Sequence, residues 1–316
     1  MIRIFQLSEY NQQKVSSLAE AENLEKAVWI DLQNPTPEQI KEVEESYNIK
    51  FPTRQQQEEI ESSSRYVEDS GIIKINSTFL NIIPRSGKLE DHEISFIITE
   101  KILFSLRHFD SHVILETVKR IKQHPTFFSS PAKLYIAISE ARIDFDADLI
   151  ELVSKYIIDI SKKINYKKNI DEATILRIND CQELTMSLRE TLFDKQRVIS
   201  LLQRNDDLMV ENEQRMRIIF KDINSLIEHA NFNFTRLEYL QNNFLALINI
   251  EQNKVIKIFT VASLIFMPPT LIASIYGMNF KIMPELQWFW GYPLALGLML
   301  FSSIGTLFIF RKKRWL

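Results

Sequence analysis

The residue types best suited to handling an ion sit on one segment, 253–277. A heptad frame started at Asn253 places Asn253, Thr260, Met267 and Ser274 in one column. A second column, three residues on, holds Ile256, Ser263, Thr270 and Gly277. Apart from Tyr276, every uncharged polar residue or glycine in the segment falls in these two columns. Small and hydroxyl residues on one seam let apolar helices pack closely. The same residues facing water would line a pore. Asn253 favours the pore, because a ring of amides could contact a hydrated cation. Pro268 and Pro269 interrupt the segment. Each removes an N–H donor and frees the carbonyl four residues back, those of Leu264 and Ile265. The result is either a plain kink or a hinge for gating.

Other reactive types are less organised. His108 and His112 have the four-residue spacing of a zinc pair, but Phe109-Asp110-Ser111 between them is not the metalloprotease pattern. Cys181 is the single cysteine, so no intrachain disulfide framework exists; it reads as a small apolar helix residue. No GxxxxGK[ST] phosphate loop occurs, so ATP is not expected to drive anything here. No nucleophile–base pair suggests an enzyme. Lys162, Lys163, Lys167 and Lys168 read as a solvated face, and a net charge of −3 gives no reason to expect a nucleic-acid partner. Asp144 and Asp148 share a helix face, and Glu68-Asp69 precedes a strand.

The elements that must position the seam follow from hydropathy. Mean hydropathy is −0.12, an average that hides an uneven chain of 316 residues. Residues 258–276 and 292–310 are two runs of 19 residues without a charge. As helices each spans roughly 28 Å, which matches a hydrocarbon core of about 30 Å. Membrane spans over about 255–276 and 292–310 are expected. Lys254 and Lys257 precede the first, and Arg311-Lys312-Lys313-Arg314 follows the second. Positive flanks stay inside, so both termini should be cytoplasmic and the loop 277–291 external. The start of the chain carries no apolar run of signal-peptide form.

Residues 1–206 read as an α/β domain with helices. Strand-like runs are 2–7, 27–32, 71–80, 93–99 and 102–107, and Thr36 with Pro37 marks a helix start. From 132 to 267 there is neither glycine nor proline, a stretch of long helices. Breaks are expected near 165–169 and 205–207. An apolar stripe then runs through Ile219, Ile223, Leu226, Ala230, Phe234, Leu237, Leu240, Phe244 and Leu247. A stalk helix over 207–253 thus continues into the membrane part, 254–316, with a basic tail at 311–316. A helix from 207 to 276 would be roughly 105 Å long, and such a stalk needs partners for stability.

Tyr276-Gly277-Met278-Asn279-Phe280 resembles the CorA magnesium and cobalt ion transporter family. The likeness continues through Asn249-Ile250-Glu251-Gln252-Asn253, Met267-Pro268-Pro269-Thr270, Met283-Pro284-Glu285-Leu286, Gly291-Tyr292-Pro293 and the basic end at Trp315-Leu316. Residues 27–34 and 58–69 are similar to the enterobacterial-type branch. The resemblance implies an α+β cytoplasmic domain with a mixed sheet flanked by helices, a long stalk helix and a two-helix transmembrane hairpin. It implies a homopentameric funnel in the inner membrane, passing Mg²⁺ and, less selectively, Co²⁺ and Ni²⁺, without a cofactor. It assigns Gly277, Met278 and Asn279 to the selectivity filter and Asn253 to a lower amide ring. Ile256 and Phe259 match the apolar constriction, and Thr270 and Ser274 match lining positions. Gly277 is expected to free the backbone to end the helix and turn, Met278 to pack against the loop, and Glu285 to attract cations. The family senses cytoplasmic Mg²⁺ at carboxylates between subunits; Asp144, Asp148, Glu68 and Asp69 are the candidates here. A zinc-exporting or proton-coupled relative is the competing expectation, and a membrane-anchored enzyme a third.

Overall fold

A computed structural model of the chain describes residues 1–6, 12–58, 65–82, 89–124, 128–164, 171–278, 281 and 283–313. Strands β1 (Ile2–Gln6), β2 (Gln12–Val15), β3 (Ala27–Gln33), β4 (Tyr66–Asp69), β5 (Ile72–Ile82), β6 (Leu89–Ile98) and β7 (Leu103–Arg107) form one sheet. The order is β2-β1-β3-β7-β6-β5-β4. β3 and β7 pair parallel, Ile30 opposite Phe104, and the other pairs are antiparallel. The sheet is therefore mixed, as expected.

The central strands are buried on both faces, so successive side chains meet different surroundings. Ile2, Ile4, Ile30, Leu32, Phe104 and Leu106 join the core that holds Val43 of helix α1 (Pro37–Tyr47). That helix begins as the sequence indicates. Thr36 accepts from the Gln39 N–H, the Gln39 side chain accepts from the Thr36 N–H, and Pro37 occupies the first turn. Alternate residues carry polar groups. Asp31 accepts from Arg3 Nε at 2.9 Å, Arg107 Nη2 at 3.1 Å and Ser105 Oγ at 2.7 Å, and all four are buried. Ser105 in turn accepts from the Trp29 indole at 2.9 Å.

Short helix α2 (Arg54–Glu58), helix α3 (His112–Gln123), and long helices α4 (Pro131–Lys162) and α5 (Glu172–Leu202) complete the N-terminal part. The break expected near 165–169 lies outside the described residues; α4 ends before it and α5 begins after it. After Leu202 the chain turns and enters α6 (Asp206–Tyr276), one helix of 71 residues. Its buried stripe between 212 and 240 is Asn212, Met216, Ile219, Ile223, Ile227, Ala230, Asn233, Leu237 and Leu240. Three expected members, Leu226, Phe234 and Leu247, are only half-buried; Ile227 and Asn233 take the inner positions beside the first two. Asn233 fits there because its amide donates to Ser154 Oγ at 2.9 Å and to the Ile150 carbonyl at 3.3 Å. Arg215 makes a two-pronged bond to Glu140 at 2.9 and 2.7 Å.

By contacts the chain divides into 1–241 and 242–316. The second unit holds the end of α6, a 3₁₀ turn at Pro284–Gln287 and helix α7 (Gly291–Lys312).

Candidate functional site: the open face of the first apolar helix

Both α6 and α7 are long and apolar enough to cross a membrane. At the start of α7, Trp288, Phe289, Trp290 and Tyr292 are all exposed, and Arg311 and Lys312 close its other end. Amphipathic rings at one end and cations at the other suit the two borders of a bilayer.

Within the hairpin, the faces of α6 divide cleanly. Val261, Leu264, Ile265, Pro268, Pro269, Ile272 and Tyr276 are half-buried. Phe310 of α7 lines a groove with Val261 and Leu264, and Ser303 of α7 donates to the Ile265 carbonyl at 3.4 Å. The second span therefore takes this side. The two heptad columns fall elsewhere. Asn253, Ile256, Thr260, Ser263, Met267, Thr270, Ser274 and Gly277 are all exposed, as is Phe259 beside them at 69 %. The seam is thus not used for packing inside the chain.

Two hydroxyls on the seam are oriented. Thr260 Oγ1 donates to the Ile256 carbonyl at 2.8 Å, and Thr270 Oγ1 donates to the Phe266 carbonyl at 2.7 Å. A hydroxyl has one donor and two acceptor lone pairs. With the donor spent on its own helix, each threonine offers only acceptors to whatever occupies the open face. The water shell of a cation points hydrogens outward, so acceptors are what it needs. At the lower end Asn253, Ile256, Lys257 and Thr260 line one side of the groove that Phe310 closes.

The upper end differs from expectation. Gly277 keeps a helical bond, its N–H donating to the Ala273 carbonyl at 2.9 Å, and its φ is not left-handed. The helix ends by tightening, with the Met278 N–H on the Ile275 carbonyl at 3.3 Å. A Cβ on Gly277 would lie 3.1 Å from the Ala273 oxygen, so the residue is small for space. Met278 is 50 % exposed. Asn279 and Phe280 lie outside the described residues.

Glu285 is exposed on the 3₁₀ turn. Sequence reasoning missed what holds that turn. The Gly291 N–H donates to the Trp288 carbonyl at 2.8 Å, and a Cβ on Gly291 would fall 2.1 Å from the Glu285 oxygen. Only glycine fits there.

The acidic candidates are dispersed. Asp144 is paired with Arg120 at 2.9 Å, while Asp148 is exposed. Glu68 accepts from Tyr66 at 2.7 Å and from Asn205 at 2.8 Å, and Asp69 accepts from Ser70 at 2.9 Å. Among the described residues no three His, Cys, Asp or Glu side chains converge as a metal site. His112 leans on the Phe145 ring at 5.8 Å. Burial and the Arg54 charge hold the His108 imidazole below its usual range. Cys181 is buried, and its thiol is pushed up by that burial.

A second group escaped sequence reasoning because its members lie on two helices. Asp146 of α4 pairs with Arg142 at 3.1 Å and with Lys195 of α5, all three buried. Arg142 also donates to the Leu80 carbonyl at 2.9 Å and lies over the Phe79 ring at 4.8 Å. Burial, and the Arg142 charge beside it, bring the Lys195 ammonium down to about 8.

A mixed α/β domain carried by a long helix into a two-helix apolar hairpin, with a polar seam open on the first span, defines a membrane transport protein. The CorA-like Mg²⁺ transporter family matches residues 25–312. The magnesium transport protein CorA of Wolinella succinogenes is 38 % identical over 308 residues, covering 96 % of each chain. That of Escherichia coli K12 is 32 % identical over 322 residues, covering both chains fully. In fold, the chain matches the complete CorA magnesium transporter of Methanocaldococcus jannaschii with a TM-score of 0.80 at 19 % identity, covering 100 % of this chain and 98 % of that one. The chain belongs to the CorA family.

Proposed function

We propose that this chain forms a passive channel through which hydrated Mg²⁺ and, less selectively, Co²⁺ and Ni²⁺ enter the cell, and that it is not an enzyme. The observation that carries this reading is the open seam of α6. Its two columns, mostly polar or small residues, stay exposed within the chain, and two of its hydroxyls present acceptors only.

In this reading five copies place their seams around one axis in the inner membrane, with both termini cytoplasmic. Asn279 rings the outer mouth and Asn253 the inner one. Mg²⁺ sheds water reluctantly, so neutral amide oxygens that bond to its water shell select by hydrated size and charge without trapping the ion. Thr260, Ser263, Thr270 and Ser274 continue the acceptor track. Ile256, Phe259 and Met267 are apolar and suit a constriction that closes by dewetting. Glu285 raises the local cation concentration. The inside-negative potential supplies about 2.3 kcal/mol per charge per 100 mV, doubled for a divalent ion. Cytoplasmic Mg²⁺ closes the channel. Among the described residues no three acidic side chains converge, and in this reading Asp144, Asp148, Glu68 or Asp69 contributes to a closing site shared with a neighbouring copy.

The test is Mg²⁺ uptake in cells lacking other Mg²⁺ importers, with the wild type and Asn279→Ala. Uptake by the wild type and its loss in the variant are expected. Unchanged uptake by Asn279→Ala would refute the filter. In liposomes, Zn²⁺ flux exceeding Mg²⁺ flux would favour the zinc-transporting alternative.

A further inference from the structure

Two adjacent prolines do more than two separate ones. The Ile265 carbonyl would accept from residue 269 in an α-helix, or from residue 268 in a 3₁₀ turn. Both are proline, so both donors are missing. The Leu264 carbonyl loses only its α-helical donor, since Met267 still has an N–H. Ile265 is therefore the one position on α6 whose carbonyl the Pro268-Pro269 pair strips completely. In hydrocarbon no water replaces such a partner.

The missing donor comes from the second span. Ser303 Oγ on α7 lies 3.4 Å from the Ile265 oxygen. The neighbouring hydroxyls of α7 stay on their own helix, Ser302 on the Met299 carbonyl at 2.8 Å and Thr306 on the Ser302 carbonyl at 2.9 Å. We infer that Ser303 is a positioning residue which, by donating to the proline-stripped Ile265 carbonyl, pins the kinked segment of the first span to the second span. The bond is long for a hydroxyl donor, as befits a contact that can open when the first span moves. Ile265 lies five residues before Thr270 on the same helix, so releasing the bond lets the acceptor face turn away from its set orientation. The consequence for flux rests on the transport reading above; the bond itself does not.

The experiment is a double-mutant cycle in the full-length protein, using Ser303→Ala, Ser303→Thr, Pro269→Ala and Pro269→Ala with Ser303→Ala. Pro269→Ala restores an N–H that can bond the Ile265 carbonyl, making the serine redundant. Tm in detergent is read for each, along with potential-driven Mg²⁺ influx into liposomes. Ser303→Ala is expected to lower Tm by about 2–4 °C and influx by about threefold, while Ser303→Thr stays near wild type. In the Pro269→Ala background, Ser303→Ala is expected to change neither. Equal losses in both backgrounds, or no loss in either, overturn the inference. If the wild type carries no Mg²⁺ while the Tm cycle holds, the transport reading falls and the bond stands.

Discussion

Gly291→Ala is the sharpest test of how the outer loop is built. The added Cβ would sit 2.1 Å from the Glu285 oxygen and 3.2 Å from its carbonyl carbon. An ordinary carbon–oxygen contact needs about 3.3 Å, so the backbone of the turn must retreat by roughly 1 Å. That motion breaks the Gly291-to-Trp288 bond of 2.8 Å and strains the Trp288-to-Glu285 bond of 3.4 Å, which together close the turn. Forced overpacking costs about 1–3 kcal/mol, and each lost bond about 1 kcal/mol more. Thermal unfolding of the detergent-solubilised protein should fall by about 5 °C or more. Because Glu285 rides on the displaced turn, Mg²⁺ uptake should drop more at low external Mg²⁺ than at saturating Mg²⁺. Gly297→Ala is the internal control. A Cβ there meets nothing within 4 Å, and alanine is the better helix former, so Tm and uptake should hold. Identical behaviour of the two variants would refute the reasoning.

Three further outcomes are expected. Thr270→Val keeps the shape but removes the acceptor, so uptake should fall about fivefold, while Thr270→Ser retains it; equal uptake by both would show that the hydroxyl does not meet the ion's water. Asp31→Asn leaves Arg3 and Arg107 buried without their shared counter-charge, and chemical denaturation should show a loss of about 3–5 kcal/mol. Lys195 sets a pH dependence. Its ammonium titrates near 8 when folded and near 10.4 when unfolded, so between those values the unfolded chain holds the extra proton. Its contribution therefore rises as pH climbs through that window and is lost as pH falls through about 8. Unfolding of the wild type and Lys195→Met compared from pH 7 to 10 should reveal a difference that changes with pH; a constant difference would contradict the burial argument.

Signals that are local in sequence were legible. Thr36 and Pro37 lie within one turn, and the helix starts there as read, with Gln39 completing the cap. The central strands were visible as apolar runs. The two strands that no run announced, β2 and β4, are edge strands of polar sequence, QQKV and YVED. Polar edges resist pairing with other chains, and the same polarity hides them from a search for apolar alternation. The stalk stripe went astray at Phe234 because hydrophobicity alone ranked it above Asn233, and at Leu226 because its neighbour Ile227 is just as apolar. Asn233 is tolerated inside only because Ser154 and Ile150, about 80 positions earlier, satisfy its amide. Asp31 with Arg107, and Asp146 with Lys195, were invisible for the same reason: nothing near either residue in sequence names its partner.

The apolar helix was more legible than the α/β domain because lipid is the stricter solvent. In the N-terminal part a polar side chain can reach water or one of many partners, so its position says little. Between 258 and 276 a hydroxyl has few places to go, so its periodicity reports where polarity is needed. Packing inside the chain accounts for the side that carries Val261, Leu264, Ile265, Pro268 and Ile272. It does not account for the exposed seam from Thr260 to Ser274. A single copy would leave that seam against hydrocarbon, with Asn253 at its lower end. The proposed ring of copies removes the conflict by giving the seam water, and it explains why bulky Phe259 can stand beside the column without spoiling it. The same strictness bears on Pro268-Pro269. A stripped carbonyl at this depth must be answered from a neighbour, so the prolines in the first span and the serine in the second form one unit. Sequence displays the first half of that unit openly, and only the structure supplies the second.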